Sequence, residues 1–154
     1  MRVLIKNQKK VNKFSTIFKN INEILANVKL YFTADKLYAQ GMDLTQSCLF
    51  EINILCDWFD EYTILEDITI GLPCTLMYKL LSCLEENQEI LMYMDDKKDK
   101  LYINFENDKK YKKTFELPLM DLDYDMVEIP LSEYDCDINI KTNEFVKLIN
   151  QLKL

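Results

Sequence analysis

The sequence contains no histidine among its 154 residues. This absence excludes mechanisms that need an imidazole, such as the Ser–His and Cys–His pairs that activate a nucleophile. Glycine is scarce, with 2 residues, and no glycine-rich phosphate-binding loop can be found in the chain. Several common enzyme classes are therefore disfavoured before any helix or strand is assigned.

Cysteine is present but is not arranged for a metal. None of the five cysteines forms a CxxC pair, and with no histidine available their scattered spacing does not supply the clustered ligands of a zinc site. An odd number of dispersed thiols is typical of a reducing compartment. Most lie in apolar runs and are expected to be small core residues; the five are Cys48, Cys56, Cys74, Cys83 and Cys136.

Long apolar runs are also missing. No run reaches the length of a membrane-spanning helix, and the N-terminal residues lack the apolar centre of a secretory signal. Apolar residues nevertheless make up 49% of the chain, which is enough to form a core. The length fits one ordinary domain and a little more. We therefore expect a folded chain that does not enter a membrane.

Charge is distributed unevenly along the chain. Residues 1–30 contain seven Lys and Arg against Glu23 alone, a net charge of +6, whereas the whole chain carries −7. The remaining residues therefore carry −13. This asymmetry suggests one surface for a polyanion on an otherwise acidic body.

Hydrophobic periodicity predicts three amphipathic helices, over residues 9–25, about 75–85 and 142–152. Alternation predicts strands over 2–6, 28–33, 36–40, 47–55, 67–72, 89–94, 100–106, 112–119 and 135–141, with a break at 41–43 and a loop over 56–62. Residues 67–119 repeat the strand–helix–strands order of residues 2–55, which indicates quasi-symmetric units in an α+β fold. The strand and helix over 135–152 would begin a third unit.

The chain is organised around residues 119–130, which we call the strap. Between residues 114 and 139 there are eight Asp and Glu and no Lys or Arg, with apolar residues interleaved throughout. A segment of this charge density repels itself and tends to extend, and Pro130 stops any helix. We expect a strap pinned to a surface by its apolar side chains, with backbone free to accept another peptide.

The strap carries a family resemblance. It resembles the sliding clamps of the proliferating cell nuclear antigen family through Leu117-Pro118-Leu119-Met120-Asp121-Leu122-Asp123, then Ile129-Pro130, then Glu133-Tyr134-Asp135-Cys136. The resemblance continues through Asn143-Glu144-Phe145, and Gln40-Gly41-Met42-Asp43 with Ser47 and Leu49 resembles the family's segment beneath the connector. It covers the family's first domain, its connector and the start of its second domain.

The resemblance implies a non-enzymatic polymerase processivity factor that forms a closed ring around duplex DNA. Its α+β domains would be built from repeated strand–helix–strands units, with antiparallel sheets outside and helices on the inner face. It further implies a clamp N-terminal domain over 1–118, an interdomain connecting loop over 119–133 and the incomplete beginning of a second clamp domain, a strand plus a helix, over 134–154. No cofactor is expected, and the expected location is the nucleus or a viral replication site.

DNA would be contacted by lysines on the polar faces of the three helices. A ring that slides needs contacts that do not depend on the DNA sequence, and lysine charge directed at phosphate provides them. These residues are Lys9, Lys13, Lys19, Lys79 and Lys147. Two helix positions that are often basic in the family are occupied by Ser82 and Asn150. The charge facing DNA is therefore expected to be thinner than is usual in the family.

The resemblance also implies a pocket beside the strap for short peptides of polymerases, nucleases and ligases. A clamp loader and other clamp subunits would be further partners. Gln46 stands where the family often has histidine, and ordinary core packing is the competing interpretation for Leu49. The matching pocket residues are Met42, Gln46, Leu49, Val127, Ile129, Pro130 and Tyr134.

The sequence leaves two other functions open. The first is a metal-dependent nuclease that uses the carboxylates of the strap region, although such sites draw ligands from rigid, separated elements and charged straps are usually just solvated. Its candidate ligands are Asp121, Asp123, Asp125, Glu128, Asp135 and Asp137. The second is a single-domain, clamp-like interaction module that regulates a ring.

Overall fold

The computed structural model describes residues 1–95, 99–107, 112–124, 126–128 and 135–152. No helix in these ranges is both long and apolar enough to cross a membrane. The elements are β1 (Arg2–Ile5), α1 (Gln8–Ile24), β2 (Asn27–Phe32), β3 (Lys36–Met42), β4 (Leu49–Leu55), a 3-10 turn (Cys56–Trp58), β5 (Glu61–Thr63), β6 (Ile68–Pro73), α2 (Cys74–Leu81), β7 (Glu89–Tyr93), β8 (Lys100–Glu106), β9 (Lys113–Pro118) and α3 (Thr142–Leu152).

The strands form two antiparallel sheets, one in the order β5-β1-β7-β8-β9 and the other in the order β4-β3-β2-β6. The repeat predicted from the sequence is confirmed in the element order, as β1-α1-β2-β3-β4 and β6-α2-β7-β8-β9. The two repeats exchange their first strands, since β1 joins the second repeat and β6 joins the first. Buried side chains from both sheets, α1 and α2 form a single cluster.

Helix α1 begins where Asn7 caps it. The Asn7 side chain accepts hydrogen bonds from the backbone N–H of Lys9 at 3.0 Å and of Lys10 at 3.4 Å, which satisfies two amides of the first turn. The helix ends at an extended residue, Leu25. Its apolar stripe faces the core, as the periodicity predicted, and the buried members are Val11, Phe14, Phe18 and Ile21.

Helix α2 runs antiparallel to α1. Near its start, the Thr75 hydroxyl donates to Asn22 Oδ1 at 2.9 Å, close to the end of α1. Beyond its other end, residues 84–87 share one cavity with Gln8 and Asn12 at the start of α1. The exposed sides of the two helices therefore form one layer, which we call the helical face.

Strand β3 continues past the break that the sequence predicted at residues 41–43. It pairs with β4 as far as Met42, opposite Leu49. A Cβ atom on Gly41 would lie 2.2 Å from Leu25 Cδ1 and 2.9 Å from Phe50, so this glycine allows a close approach rather than a turn. The predicted loop over 56–62 likewise contains the 3-10 turn and enters β5, which is too short for alternation to reveal.

The strand predicted over 135–141 is wrong. These residues have no strand conformation and are all exposed. A strand needs a neighbouring strand to bond its backbone, and no pairing partner for this segment occurs among the described residues. Helix α3 confirms the predicted span but buries none of its residues, including Phe145 and Leu148. The domain boundaries at 118 and 133 remain predictions.

Asp60 ties the corner between β1 and α1. Its Oδ2 atom accepts from the backbone N–H of Lys6 at 2.7 Å and of Asn7 at 3.4 Å, and Lys10 Nζ lies 3.9 Å from Oδ1. The hydrogen bond from Lys6 is the main reason that the pKa of Asp60 lies below its ordinary value. The carboxylate therefore helps to orient the helix that carries most of the candidate DNA contacts.

Asp60→Ala is expected to lower the free energy of unfolding by about 1–3 kcal/mol at neutral pH, because charged hydrogen bonds to backbone amides are lost. Since the folded-state pKa is depressed, this stabilisation is present above the unfolded-state pKa and is lost as the pH falls through the folded-state pKa. Urea unfolding at neutral pH and below about pH 4 measures the difference. Equal losses for Asp60→Ala and for the exposed neighbour control Asp57→Ala would contradict this role.

Candidate functional site

The strap is attached first to β6, at one edge of the four-stranded sheet. The Met120 N–H donates to the Gly71 carbonyl at 2.9 Å, and the two residues form an isolated antiparallel bridge. A Cβ atom on Gly71 would lie 2.3 Å from the Met120 carbonyl oxygen and 2.8 Å from Leu122 Cγ. Only glycine therefore allows the strap to lie this close to the sheet.

The second attachment joins Tyr124 to Lys29 on β2. The Lys29 backbone N–H donates to Tyr124 Oη at 2.7 Å, and Lys29 Nζ donates to the Tyr124 carbonyl oxygen at 2.6 Å. The same ammonium lies 4.7 Å from the centre of the tyrosine ring, which is a cation–π distance. Burial raises the pKa of the Tyr124 phenol, so the hydroxyl is neutral where it accepts the amide.

The third attachment joins Val127 to Gln40 on β3. Gln40 Nε2 donates to the Val127 carbonyl oxygen at 2.9 Å, and the Val127 N–H donates to Gln40 Oε1 at 2.7 Å. Gln40 is only 5% exposed. Its carboxamide thus bonds both main-chain polar groups of one strap residue, as a neighbouring strand would.

The three attachment points follow one row across the sheet. Lys29 on β2 pairs with Gly71 on β6. On β3, Gln40 directly follows Ala39, which forms the last β2–β3 pair with Leu30. Leu30 and Ala39 are buried against α1, so the next residues in each strand point to the opposite face. The strap therefore crosses β6, β2 and β3 on the face of the sheet that is turned away from α1.

A cavity of about 200 Å³ lies beneath the strap. It forms where β2 and β3 no longer pair, past Leu30 and Ala39, so that the two strand ends leave a gap under the strap. Most of its lining is apolar, and Met42 and Val127 are among the candidate peptide-binding residues. The lining residues are Leu25, Asn27, Gln40, Gly41, Met42, Tyr124 and Val127.

The structure brings together only some of the predicted peptide-binding residues. Met42 and Val127 share the cavity, and Leu49 lies opposite Met42 in the β3–β4 register with 38% of its surface exposed. Gln46 is exposed at φ 57° in the loop before β4 and does not line the cavity. The remaining three, Ile129, Pro130 and Tyr134, lie outside the described residues.

Asp43 organises the loop that holds Gln46. Its Oδ1 atom accepts from the backbone N–H of Ser47 at 2.8 Å and of Cys48 at 2.7 Å, and Oδ2 accepts from the Thr45 hydroxyl. The Thr45 hydrogen bond is the largest cause of a pKa below the ordinary value for Asp43. The loop beside the cavity is therefore fixed by an ionised carboxylate.

The sequence did not reveal the attachment roles of Lys29, Gln40 and Tyr124, although Gln40 belongs to the segment that the resemblance places beneath the connector. Lys29 and Gln40 occupy the polar positions of alternating strands, which periodicity assigns to solvent. The strap covers that face, and its path depends on the folded sheet. The apolar residues of the strap indicated only that it lies on some surface of the protein.

The candidate DNA contacts on α1 and α2 share the helical face. Lys9, Lys13, Lys19 and Lys79 are all exposed, and none forms an ion pair with another described residue. Lys147 is exposed on α3, which buries no side chain. The helical face and the strap lie on opposite sides of the four-stranded sheet.

The rival metal site gains no geometric support. Within the described ranges, no three acidic or cysteine side chains are grouped so that they could hold a metal ion. Asp121, Asp123 and Glu128 are exposed along the strap. Asp125 lies outside the described residues.

Comparison with known proteins agrees with this architecture. Residues 6–128 match the family described as "Proliferating cell nuclear antigen, N-terminal domain". Proliferating cell nuclear antigen 2 of Drosophila melanogaster is 27% identical over 135 residues, which are 87% of this chain and 53% of the relative. Proliferating cell nuclear antigen of Saccharomyces cerevisiae is 26% identical over 140 residues, 90% of this chain and 54% of the relative.

Solved structures show the same fold. Proliferating cell nuclear antigen from Thermococcus kodakaraensis superposes with a TM-score of 0.76 at 15% identity, over 84% of this chain and 50% of the other. A PCNA2–PCNA3 complex from Sulfolobus tokodaii gives a TM-score of 0.78 at 21% identity, over 99% of this chain and 60% of the other. The fold class expected from the sequence is confirmed.

The α+β fold of repeated units with a strap across one sheet defines a sliding-clamp domain. The chain belongs to the proliferating cell nuclear antigen family. This is a family of non-enzymatic clamp scaffolds, in agreement with the expectation from the sequence. The chain spans about half the length of the curated relatives that it matches.

Proposed function

We propose that this chain supplies the N-terminal domain and connector of a DNA sliding clamp. The clamp would surround duplex DNA, act as a polymerase processivity factor and dock replication and repair proteins. The observation that carries this proposal is the strap, held at Gly71, Lys29 and Gln40 over a partly open apolar cavity. A docking site on one side of the sheet and lysines on the other would allow both contacts at once.

The DNA contact would be made through phosphate. Lysines on the helical face are spread over two helices, and no aromatic side chain is needed to read bases there. Contacts of this kind are independent of sequence and allow a protein to slide along the duplex. The family membership supports this assignment for Lys9, Lys13, Lys19 and Lys79, with Lys147 as a further contact.

The strap would hold short peptides of partner proteins, and a synthetic peptide with two adjacent aromatic residues is the probe. Val127→Ala is expected to weaken its binding about tenfold, because two methyl groups leave the wall of the cavity and each buried carbon contributes about 0.8 kcal/mol. Titration calorimetry measures the affinity. The expected affinity of the unchanged chain is itself weak, because the chain spans about half the length of its curated relatives and the rest of the pocket would lie in the other half.

Met126→Ala is the matched control for this test. Met126 precedes Val127 and is 54% exposed, but it does not line the cavity. We expect its substitution to leave the peptide affinity unchanged. Equal affinities for all three proteins would place the peptide site elsewhere, and no binding to any of them would remove the docking function from this proposal.

Other clamp subunits would join the chain through sheet edges. Strand β9 ends one sheet opposite β5, and β4 ends the other opposite β6, so β9 and β4 each have one side without a neighbouring strand among the described residues. Exposed edges pair readily with further strands. One structural relative is a complex of PCNA2 with PCNA3, which supports assembly with other clamp chains.

We therefore expect the chain to associate with itself or with a second clamp chain. Sedimentation over a range of concentrations should give masses that rise above the 18.4 kDa of one chain. Duplex DNA should favour the assembled form if the ring closes around it. A mass of one chain at every concentration, with no clamp partner recovered from the source, would contradict this prediction.

The remaining partners and the location follow from the same proposal. A DNA polymerase would use the peptide site, and a clamp loader would open and close the ring. The eukaryotic relatives favour a role in nuclear replication, and a viral replication site is the alternative location. Immunoprecipitation from replicating cells of the source would identify the bound proteins.

A further inference from the structure

We propose that Gln40 is the positioning residue of the strap. Its carboxamide holds Val127 in one place above the sheet and so fixes the wall of the cavity beneath. The link from this position to peptide affinity rests on the proposed docking function. The position of the strap itself is a property of this chain and can be tested without any partner.

The geometry assigns this role because the carboxamide makes both hydrogen bonds that a paired strand residue would make. Nε2 donates to the Val127 carbonyl at 2.9 Å, and Oε1 accepts from the Val127 N–H at 2.7 Å. Gln40 stands where β3 has lost its pairing with β2. A buried side chain therefore replaces the missing strand, and no other side-chain hydrogen bond to Val127 occurs among the described residues.

The other two attachments lie earlier along the strap. Gly71 holds Met120, and Lys29 holds Tyr124, three residues before Val127. Val127 lines the cavity and also exposes 41% of its surface. Releasing Gln40 would consequently free the end of the strap next to the candidate peptide, while the earlier part remains attached.

Replacing the amide with a carboxyl group tests the need for both a donor and an acceptor. In Gln40→Glu, the carboxylate can accept the Val127 N–H but faces the Val127 carbonyl with a lone pair instead of a donor. Protonation restores the donor and hence the pair of bonds. The strap of this variant should therefore close when the carboxyl group is protonated and open when it is ionised.

Several neighbouring groups affect that protonation. Glu51 on β4 lies opposite residue 40, and Tyr38 lies two residues earlier on the same face of β3. Lys29 lies across the gap on β2, and Glu128 follows Val127 on the strap. Burial and the two carboxylates favour the neutral form of the new group, whereas Lys29 opposes it.

The experiment follows the Val127 amide by NMR in the unchanged chain, Gln40→Glu and Gln40→Met. Spectra are recorded at neutral pH and at about pH 5, with exchange rates corrected for the intrinsic effect of pH. We expect the Val127 amide of the unchanged chain to be protected from hydrogen exchange at both pH values. In Gln40→Met it should be protected at neither. In Gln40→Glu, protection should be lost at neutral pH and recovered in acid.

Thermal unfolding followed by circular dichroism shows whether each variant is folded. If Gln40→Glu is unfolded at neutral pH, its folded acid form is compared with Gln40→Met, and protection in the former alone still supports the proposal. Val127 protection in Gln40→Met equal to that of the unchanged chain would overturn it. So would the absence of any pH-dependent difference between the two folded variants.

A second measurement separates this inference from the docking function. The affinity of the peptide with two adjacent aromatic residues should fall about tenfold in Gln40→Glu at neutral pH and recover in acid. If the peptide binds the unchanged chain and Gln40→Glu with equal affinity at neutral pH, Gln40 does not position the docking site. If no peptide binds at all, docking fails while the NMR result alone decides whether Gln40 fixes the strap.

Discussion

Replacing Lys9, Lys13 and Lys79 with alanine together is expected to reduce the affinity for duplex DNA tenfold or more at low salt. Each phosphate contact contributes about −0.9 to the slope of log affinity against log salt concentration. With about four lysines engaged, binding should weaken roughly a hundredfold between about 50 and about 200 mM salt. The triple variant should flatten this slope by roughly one unit per lost contact, as fluorescence anisotropy at several salt concentrations would show.

The matched control removes the same charge from the sheets. Lys36 and Lys100 lie on β3 and β8, and Lys112 directly precedes β9, where it pairs with Glu106. Replacing these three with alanine changes the net charge equally but leaves the helical face intact. We expect the salt slope of this control to remain that of the unchanged chain. Equal flattening in both triple variants would mean that net charge, and not the helical face, controls binding.

Sequence preference supplies an independent check on the same interpretation. Lysine charge directed at phosphate should bind AT-rich and GC-rich duplexes of equal length with similar affinity. A marked preference for one of the two duplexes would contradict contacts made through phosphate alone. The substituted lysines lie on the exposed sides of two helices that contact each other.

The helices were the most predictable part of the fold. The stripe from Val11 to Ile21 repeats at helical spacing, and all its members except the half-buried Ile17 are buried in the structure. Most strands were also found within a few residues, because alternation is clear in segments such as Lys36–Met42. Local pattern and tertiary burial agree at these positions, so the sequence alone was sufficient.

Sheet order could not be predicted by the same reasoning. Strand β1 leaves its own repeat to pair with β7, and β6 pairs with β2. Alternation fixes which side of a strand is apolar but does not specify the neighbouring strand. The resemblance to a clamp family, and not periodicity, supplied the expectation of antiparallel sheets outside and helices on the inner face.

The site was predicted in part for a related reason. Met42, Leu49 and Val127 are apolar residues at positions shared with a family motif, and the structure places them near one another. Lys29 lies outside that motif, and Gln40 is a polar member of it, so alternation assigns both to solvent. Their function depends on a strap that arrives from far along the chain. A buried polar group on the solvent side of a strand becomes recognisable only when its partner is seen.

Phe14→Ala is expected to be the most destabilising single change among the positions discussed. Phe14 is fully buried on α1, and its ring centre lies 5.1 Å from that of Phe18. Truncating a buried phenylalanine costs about 3–5 kcal/mol, because the lost transfer energy is increased by the cavity that remains. This is a large fraction of the roughly 5–15 kcal/mol that keeps an ordinary domain folded.

Urea unfolding of Phe14→Ala and Lys13→Ala compares the buried side of α1 with its exposed side. Lys13 is exposed on the same turn, so its replacement should change the unfolding free energy by no more than about 0.5 kcal/mol while weakening DNA binding. Phe14→Ala should lower the unfolding free energy strongly. It should weaken DNA binding only under conditions in which α1 no longer packs on the core. If Lys13→Ala were as destabilising as Phe14→Ala, the lysine would belong to the fold, and its place on a DNA-binding face would lose its physical basis.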